Sequence, residues 1–355
     1  MASYTYNEFS PDYTNIVDAA RNKAAKRIPL YEHGVDDVIF EKILGREFSA
    51  LQDGSASDVA EYIGCICEGY RVCGYDTVTF ERWLNAAYPG SGALGGHKPP
   101  VVTSREDFEK YPWDEVADNF FRLYGGHYAA LREKMPAGMK AIGGVGCGVF
   151  ECVEDIVGYQ DLCLMSYDDP ELYADIFKKV GDISFAVWER FMREYGDIYC
   201  VMRFGDDLGY KSNTLLPHDD IRKHIIPQYK RVIDLVHSYG KPFLLHSCGN
   251  IFGVFDDIID VAGIDAKHSN EDQIAPFTEW VEKYGDRIGN FGGIDVNVLC
   301  GGGENEIREY VTDVLKACEG RGGIAFGSGN SIAGYVPVEN YLCMIDAVRS
   351  YRGDR

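Results

Sequence analysis

The sequence predicts an α/β protein folded as a single (β/α)8 barrel domain across all 355 residues. Short apolar segments alternate with longer helical segments, which is typical of parallel strands joined by crossover helices. Glycine follows the helical run before several of these apolar segments, as it does where helices end. The first apolar segment lacks the G-x-G-x-x-G turn that would favour an open doubly wound sheet.

Eight segments carry the strand pattern, each followed by a helical stretch. The predicted strands are residues 27–34, 75–80, 139–146, 198–207, 241–249, 263–270, 287–295 and 322–329. The sequence also indicates where helices start. For example, Asp169 is a predicted N-cap, and Pro170 follows it in the first turn of the helix. We expect residues 1–25 to form a helical N-terminal extension, and residues 82–113 to form a long loop after strand 2 that is either a lid or an insert.

Composition limits the function classes. The formal net charge is −21, which disfavours a nucleic-acid partner because such proteins concentrate Lys and Arg. The 11 cysteines are an odd number scattered along the chain, as expected for reduced thiols. We find no secretory signal and no apolar run near the roughly 20 residues of a membrane span. We therefore expect a cytoplasmic protein with neither a nucleic-acid nor a membrane partner.

Ionisable and polar residues collect at the C-terminal ends of the predicted strands, where barrel enzymes place their active sites. In chain order they are His33, Cys147, Glu151, Arg203, Asp206, Asp207, His246, Cys248, His268, Asn270, Glu271, Asp295, Ser328 and Asn330. We interpret four of them as candidates for binding substrate: His33, Glu151, Arg203 and Asn330.

The pair His246 and Cys248 follows the apolar run at 243–245. Residues two apart on a strand point the same way, and imidazole and thiolate are both zinc ligands. The alternative is a histidine bonded to a carbonyl beside a buried thiol. A third zinc ligand would come from His268, Glu271 or Cys147.

Asp206 and Asp207 are adjacent, so both cannot point inward from an extended strand. We predict that one faces the site, where it orients an imidazole or substrate or moves a proton, while the other caps a loop or helix. The glycine-rich loop at 326–337 either lets backbone amides approach a ligand or is a tight turn that merely needs glycine.

Several motifs occur in one order along the chain: "GDDLG" (205–209), "HSCGNI" (246–251), "GGIDV" (292–296) and "GSGNSI" (327–332) with "YVPVEN" (335–340). With these motifs the sequence resembles the uroporphyrinogen decarboxylase superfamily over most of residues 140–350. The resemblance implies a (β/α)8 barrel and one of two functional branches.

The decarboxylase branch has an N-terminal motif of the type P-x-W-x-M-R-Q-A-G-R whose arginines bind substrate carboxylates. Here the corresponding segment reads "RIPLYEHGVDDVIFEKIL" (27–44), and Arg27 precedes the strand instead of following it. A porphyrinogen decarboxylase without metal is therefore the alternative rather than the main expectation.

The other branch contains the zinc- and corrinoid-dependent methyltransferases, whose zinc is held by an H-x-C pair and a later cysteine. His246 and Cys248 match the pair, and Asn330 occupies the position of the later cysteine. The resemblance implies an enzyme that moves a methyl group between a small methylated donor, such as a methyl aryl ether, methylamine or thiol, and a corrinoid protein.

In this interpretation zinc acts as a Lewis acid, and Asp206 or Asp207 orients substrate or handles a proton. The corrinoid protein docks over a barrel mouth framed by residues 82–113 and 326–334. A third possibility, outside the enzymes, is a corrinoid- or tetrapyrrole-binding protein without catalysis.

Overall fold

The structure is a computed structural model that describes residues 9–354. Within them, seven parallel strands form one curled sheet in sequential order. The strands are β1 (Thr77–Trp83), β2 (Lys140–Gly146), β3 (Tyr199–Gly205), β4 (Phe243–His246), β5 (Ala266–His268), β6 (Gly289–Ile294) and β7 (Ile324–Ser328).

Helices connect the strands and pack against the outer face of the sheet. They are α1 (Thr14–Ala20), α2 (Asp37–Leu44), α3 (Ala56–Val72), α4 (Arg105–Lys110), α5 (Val116–Lys134), α6 (Val149–Val157), α7 (Tyr159–Asp168), α8 (Pro170–Tyr195), α9 (His218–Asp220), α10 (Ile226–Ser238), α11 (Phe252–Asp257), α12 (Phe277–Tyr284), α13 (Val296–Gly301), α14 (Glu304–Ala317) and α15 (Val338–Tyr351). Asp169 caps α8 by accepting the Leu172 N–H at 2.9 Å. No helix among residues 9–354 is both long and apolar enough to cross a membrane.

The prediction of eight strands is wrong at the first one. Segment 27–34 contributes a single parallel bridge, Leu30 to Phe326 of β7, with a second bridge further on from Val35 to Ile332. Pro29 within this segment has no N–H to donate to a ladder. On the other side the Thr79 side chain of β1 donates to the Glu32 carbonyl at 2.7 Å. The segment thus lies between β7 and β1, where a first strand would have closed the sheet.

Side chains on the inner, concave face of the curled sheet pack against one another. Ile142, Val201, Leu244, Phe291 and Ala325 form one buried cluster inside the curl, separate from the larger core under the helices. Successive strand side chains point to opposite faces, so this alternation fixes which residues at each strand end point inward.

Helix α1 covers the N-terminal end of the strands. Its Ile16, Ala19 and Ala20 are fully buried in the inner cluster. The predicted extension 1–25 therefore includes one helix in its described part, and residues 1–8 of it lie outside the described residues. With one end of the sheet covered by α1, the opposite end is the one open to ligands.

The segment 82–113 contains β1's last residues, short 3-10 turns and α4. It packs on α6: the Val101 N–H donates to the Ile156 carbonyl at 2.8 Å, and the Leu94 N–H donates to the Asp155 carboxylate at 2.8 Å. These bonds hold the segment beside α6.

Candidate functional site

Strand β4 delivers an imidazole and a thiol to the mouth of the sheet. Phe243 and Leu245 pack in the outer core and Leu244 in the inner cluster, so the alternation turns His246 inward. The Nε2 atom of His246 lies 3.4 Å from the Cys248 Sγ atom. The two predicted ligands are therefore together at the strand's end.

The loops that follow β3 and β4 are tied to each other. The Gly209 N–H donates to the Cys248 carbonyl at 3.2 Å, and the Asn250 N–H donates to the Tyr210 carbonyl at 2.7 Å. Gly249 has a φ of +82°, and a Cβ atom there would lie 2.1 Å from the Gly209 carbonyl carbon. Only glycine fits this approach, which fixes the position of Cys248.

Asp206 and Asp207 divide into two roles. Asp206 is fully buried and accepts hydrogen bonds from the Phe150 N–H at 3.0 Å, the Glu151 N–H at 2.8 Å and the Tyr229 hydroxyl at 2.5 Å. It therefore holds the first turn of α6, and burial raises its pKa to about 7. Its predicted catalytic role is not supported by this position.

Asp207 faces the β4 residues. Its Oδ1 atom accepts the Cys248 N–H at 2.8 Å and lies 3.7 Å from the His246 Nε2 atom. The side chain is 42% exposed, so one oxygen can still bind a ligand from the mouth. Asp207, His246 and Cys248 each offer one donor atom, and the three atoms lie within 4.8 Å of one another.

A chain of hydrogen bonds fixes the tautomer of His246. The His268 Nε2 atom lies 3.1 Å from the Ser328 carbonyl oxygen, which can only accept, so this nitrogen carries the proton. The His268 Nδ1 atom is then an acceptor for the His246 Nδ1–H at 2.7 Å. His246 therefore presents the lone pair of Nε2 toward Cys248 and Asp207.

The protonation states of the cluster residues are also compatible with metal binding. Burial lowers the pKa of His246 well below its usual value and that of His268 to about 3, so both rings are neutral, as metal ligands must be. Burial, together with the nearby Asp207 carboxylate, raises the pKa of the Cys248 thiol, and burial raises that of Asp207. A divalent cation would favour ionisation of both groups.

His33 completes a second trio of donors with His246 and His268. The His33 ring stacks on the His246 ring with 3.6 Å between centroids and 16° between planes. Since imidazole lone pairs lie in the ring plane, stacked rings cannot direct them at one ion. The Nδ1 atoms of His246 and His268 are also joined by a hydrogen bond, so neither is free to bind an ion. This trio therefore does not fit a metal.

The three predicted third ligands lie elsewhere. His268 supports His246 from the opposite ring nitrogen, Glu271 pairs with Lys211 at 3.7 Å, and the Cys147 thiol donates to the Asn85 amide oxygen at 3.4 Å. Among the described residues, neither Glu271 nor Cys147 belongs to a three-donor group. The third donor beside His246 and Cys248 is instead Asp207, which the sequence did not indicate as a candidate ligand.

Two predicted substrate-binding residues support the cluster. The Glu151 carboxylate accepts the Asp207 N–H at 3.3 Å, and burial raises the pKa of Glu151. The exposed Asn330 donates from Nδ2 to the Cys248 Sγ atom at 3.3 Å. Position 330 is therefore adjacent to the thiol, as its place in the motif suggested.

Arg203, predicted to bind substrate, is engaged within the protein. Its Nη2 and Nε atoms bond to the Glu81 carboxylate at 2.7 and 3.0 Å, and its Nη1 atom donates to the Tyr31 hydroxyl and the His33 carbonyl, each at 2.8 Å. Four of its five N–H groups are thereby used. Arg203 therefore holds Glu81, Tyr31 and the His33 carbonyl and is not free to clamp a substrate carboxylate.

Sequence reasoning missed Lys267, on β5. It is buried, its Nζ atom donates to the Ser269 carbonyl, and the same atom lies 3.6 Å from the centre of the Trp280 ring. Burial lowers its pKa to about 7. Lys267 and Cys248 line a small cavity of about 70 Å³. A lysine in the middle of the predicted strand 263–270 was the signal that could have revealed it.

A larger cavity of about 610 Å³ is lined by His33, whose ring stacks on His246, but by none of the three donors Asp207, His246 and Cys248. His33 and Arg203 line it at the mouth of the sheet, and Arg82 and Tyr124 line it beside α3 and α5. Its volume suits a small organic ligand. His33 thus lies between the three-donor cluster, where it contacts His246, and a cavity large enough for a substrate.

Comparison with known proteins gives a family and a fold. The family model described as Uroporphyrinogen decarboxylase (URO-D) matches residues 93–351. No curated protein sequence matches the chain significantly.

Two solved structures share the fold at low identity. A methyltransferase from Methanosarcina mazei is 17% identical, with a TM-score of 0.73 over 95% of this chain and 98% of that one. A protein described as a vitamin-B12-independent methionine synthase from Listeria monocytogenes is 10% identical, with a TM-score of 0.50 over 92% and 95% of the two chains.

Proposed function

We propose, on the premise that this chain belongs to the uroporphyrinogen decarboxylase family, that it is a zinc- and corrinoid-dependent methyltransferase. It would act as a single domain in the cytoplasm and move a methyl group between a small methylated donor and a corrinoid protein. The fold shared with the Methanosarcina mazei methyltransferase supports this branch of the family.

The observation that carries the proposal is the convergence of three metal donors at the mouth. Zinc bonds of about 2.0–2.3 Å in a tetrahedral site place ligand atoms roughly 3.3–3.8 Å apart. The His246 Nε2 atom lies 3.4 Å from the Cys248 Sγ atom and 3.7 Å from the Asp207 Oδ1 atom. These two separations fit one ion, the donor atoms of Cys248 and Asp207 lie within 4.8 Å of each other, and a fourth position would remain for substrate.

The donor set also fits chemically. Nitrogen, sulfur and oxygen ligands are all common for zinc, and His268 and Ser328 orient the imidazole as outer-shell partners do. A zinc ion bound here would supply Lewis-acid chemistry at the heteroatom that carries or receives the methyl group. The protein's own residues hold the Cys248 thiol near Asp207 and keep His246 neutral.

The corrinoid would reach the cluster from the C-terminal mouth, because the inner cluster fills the interior of the sheet. Exposed aromatic residues lie at this end, including Trp83 at the end of β1, Tyr210 after β3 and Tyr335 after β7. Such residues suit a docked protein that carries a flat macrocycle.

Metal content tests the first half of the proposal. We expect about one zinc per chain in native protein and a near-complete loss in a Cys248→Ala variant. Cys300→Ala, which removes a half-buried thiol on α13, is the matched control and should retain zinc. An unchanged zinc content in Cys248→Ala would rule out this site.

Methyl transfer tests the second half. Zinc-loaded protein is incubated with reduced cobalamin and a methyl aryl ether, a methylamine or a methylthiol, and methylcobalamin is followed by its absorbance. Turnover of uroporphyrinogen in place of methyl transfer would favour the decarboxylase, and neither activity would favour a binding protein. A decarboxylase is disfavoured because Arg203 is already paired with Glu81.

A further inference from the structure

Arg82 has buried hydrogen-bond donors without an acceptor. It lies on β1 and lines the cavity of about 610 Å³ together with His33. Among residues 9–354, the Nε and Nη2 atoms of Arg82 have no hydrogen-bond partner although both are buried. Leaving charged donors buried and unpaired is costly, so an acceptor from a ligand would relieve the cost.

The two unpaired atoms form one edge of the guanidinium group. Nε–H and the Nη2–H beside it point in parallel, which is the geometry that matches the two oxygens of a carboxylate. A single phenol or carbonyl oxygen would satisfy only one of them. The edge therefore favours a carboxylate over a neutral ligand.

The acidic residues that line this cavity are engaged elsewhere. Asp36 caps α2 by accepting the Val38 N–H at 3.1 Å, and Asp37 accepts the Tyr62 hydroxyl at 3.2 Å. Burial raises the pKa of Asp37 to about 6, and the nearby positive charge of Arg82 opposes this rise, so Asp37 is still mostly ionised at neutral pH.

Two further acids complete the lining. Glu81 pairs with Arg203, and the Asp53 side chain is 80% exposed and lies 3.8 Å from His127. In the described residues no acidic side chain forms a close ion pair with Arg82, and its charge acts on Asp37 only at longer range, so the Nε–Nη2 edge is available to a ligand.

The walls around Arg82 are aromatic. The centres of the Phe80, Tyr62 and Tyr124 rings lie 4.8, 5.8 and 5.8 Å from its guanidinium carbon. Aromatic walls favour a flat, apolar ligand body. The same cavity is lined by His33, whose ring stacks on His246, so a ligand anchored at Arg82 would extend toward the metal donors.

We propose that Arg82 binds the carboxylate of a small aromatic acid, which makes a methoxylated aromatic carboxylate the methyl donor or its phenol the product. This inference deepens the proposed function and rests on it for the reaction. The binding of the acid itself does not depend on zinc or on a corrinoid.

Calorimetry with two matched probes tests the proposal. 4-Methoxybenzoate and 4-methoxybenzamide have nearly the same shape, and only the first carries a charge. We expect the wild-type protein to bind the acid about 10- to 100-fold more tightly than the amide, as a bidentate charged pair would give. Equal affinities, or no detectable binding of the acid at millimolar concentration, would overturn the proposal.

Variants assign the effect to Arg82. Arg82→Gln should bind the acid no more tightly than the amide, and Arg82→Lys should keep only part of the preference because it loses the fork. Arg122→Gln, which removes an exposed arginine on α5, should behave as wild type. If Arg82→Gln does not fold, the acid-to-amide ratio of Arg82→Lys decides, and an unchanged ratio contradicts the proposal.

The two proposals can fail separately. If the acid binds through Arg82 but no donor methylates cobalamin, the methyltransferase assignment fails and the carboxylate site stands. If a neutral methyl donor is used as fast as the acid and Arg82→Gln leaves that rate unchanged, the carboxylate site fails and the methyltransferase stands.

Discussion

Two regions at the C-terminal end of the sheet place acidic residues at strand ends and use them differently. In the donor cluster, formed by Asp207, His246 and Cys248, the carboxylate is 42% exposed and accepts one backbone N–H. In the closure region, formed by segment 28–35 and β7, Glu32 is fully buried and accepts the N–H of Ser328 at 3.0 Å and its hydroxyl at 2.6 Å.

The difference teaches how to separate a chemical carboxylate from a structural one. A carboxylate whose oxygens are occupied by donors of its own chain contributes to the fold. A carboxylate with a free oxygen beside a neutral imidazole lone pair and a thiol can bind an ion. Asp206, with three donors of its own, belongs with Glu32 although its neighbour belongs to the cluster.

The largest expected effect is on metal affinity in Asp207→Asn. The amide can still accept the Cys248 N–H but cannot supply a charged ligand oxygen, so zinc affinity should fall by at least about 10- to 100-fold. Competition against a chromophoric chelator measures it. Thermal stability should change little.

Asp206→Asn is the matched control for that prediction. It should retain zinc affinity and lose about 1–3 kcal/mol of unfolding free energy, because a buried acceptor of three hydrogen bonds is weakened. If Asp206→Asn lost zinc as strongly as Asp207→Asn, the division between the two carboxylates would be wrong.

A smaller effect is expected when a thiol is added to the cluster. Asn330 already contacts the Cys248 Sγ atom at 3.3 Å, so Asn330→Cys should add a soft ligand and tighten zinc by about tenfold. Asn330→Ser removes the same amide without adding a thiol and should leave affinity near wild type. Equal affinities in the two variants would show that position 330 does not reach the metal.

The last prediction concerns pH and the closure region. Burial raises the pKa of Glu32 to about 8 from a usual value near 4.5, so between these values the folded state holds a proton that the unfolded state has lost. Stability should therefore fall as pH rises through this window, by up to about 1.4 kcal/mol per pH unit.

Glu32→Gln keeps an acceptor for Ser328 and cannot ionise. Its urea midpoint should therefore decline less between pH 5 and pH 8 than that of wild type. Parallel declines in the two proteins would show that Glu32 is not the group that titrates.

Much of the site was predictable because strand geometry is local. The apolar run before His246 fixes a strand, and the period of two places His246 and Cys248 together. The family resemblance placed Asn330 beside the thiol. The split between Asp206 and Asp207 was predicted, but which residue takes which role depends on Tyr229 and the start of α6, which are distant in sequence.

Other features depend on tertiary contacts that no local pattern reveals. Arg203 looked available because its partner Glu81 lies beyond the predicted strand 75–80, while β1 extends to Trp83. Lys267 went unnoticed because a lysine usually lies at the surface. Segment 27–34 has the composition of a strand, yet a proline interrupts its pairing and leaves one bridge at Leu30.

The closure region also sets the order in which the molecule can be completed. Glu32 and Ser328 are 296 residues apart in sequence, and Leu30 pairs with Phe326 across a similar span. During synthesis the early strands can pair with their neighbours, but this contact waits until β7 has emerged. His33, which rests against His246, belongs to the segment that this contact fixes. The cavity is therefore assembled last, so a nascent chain should acquire ligand binding only once nearly all of it has been made.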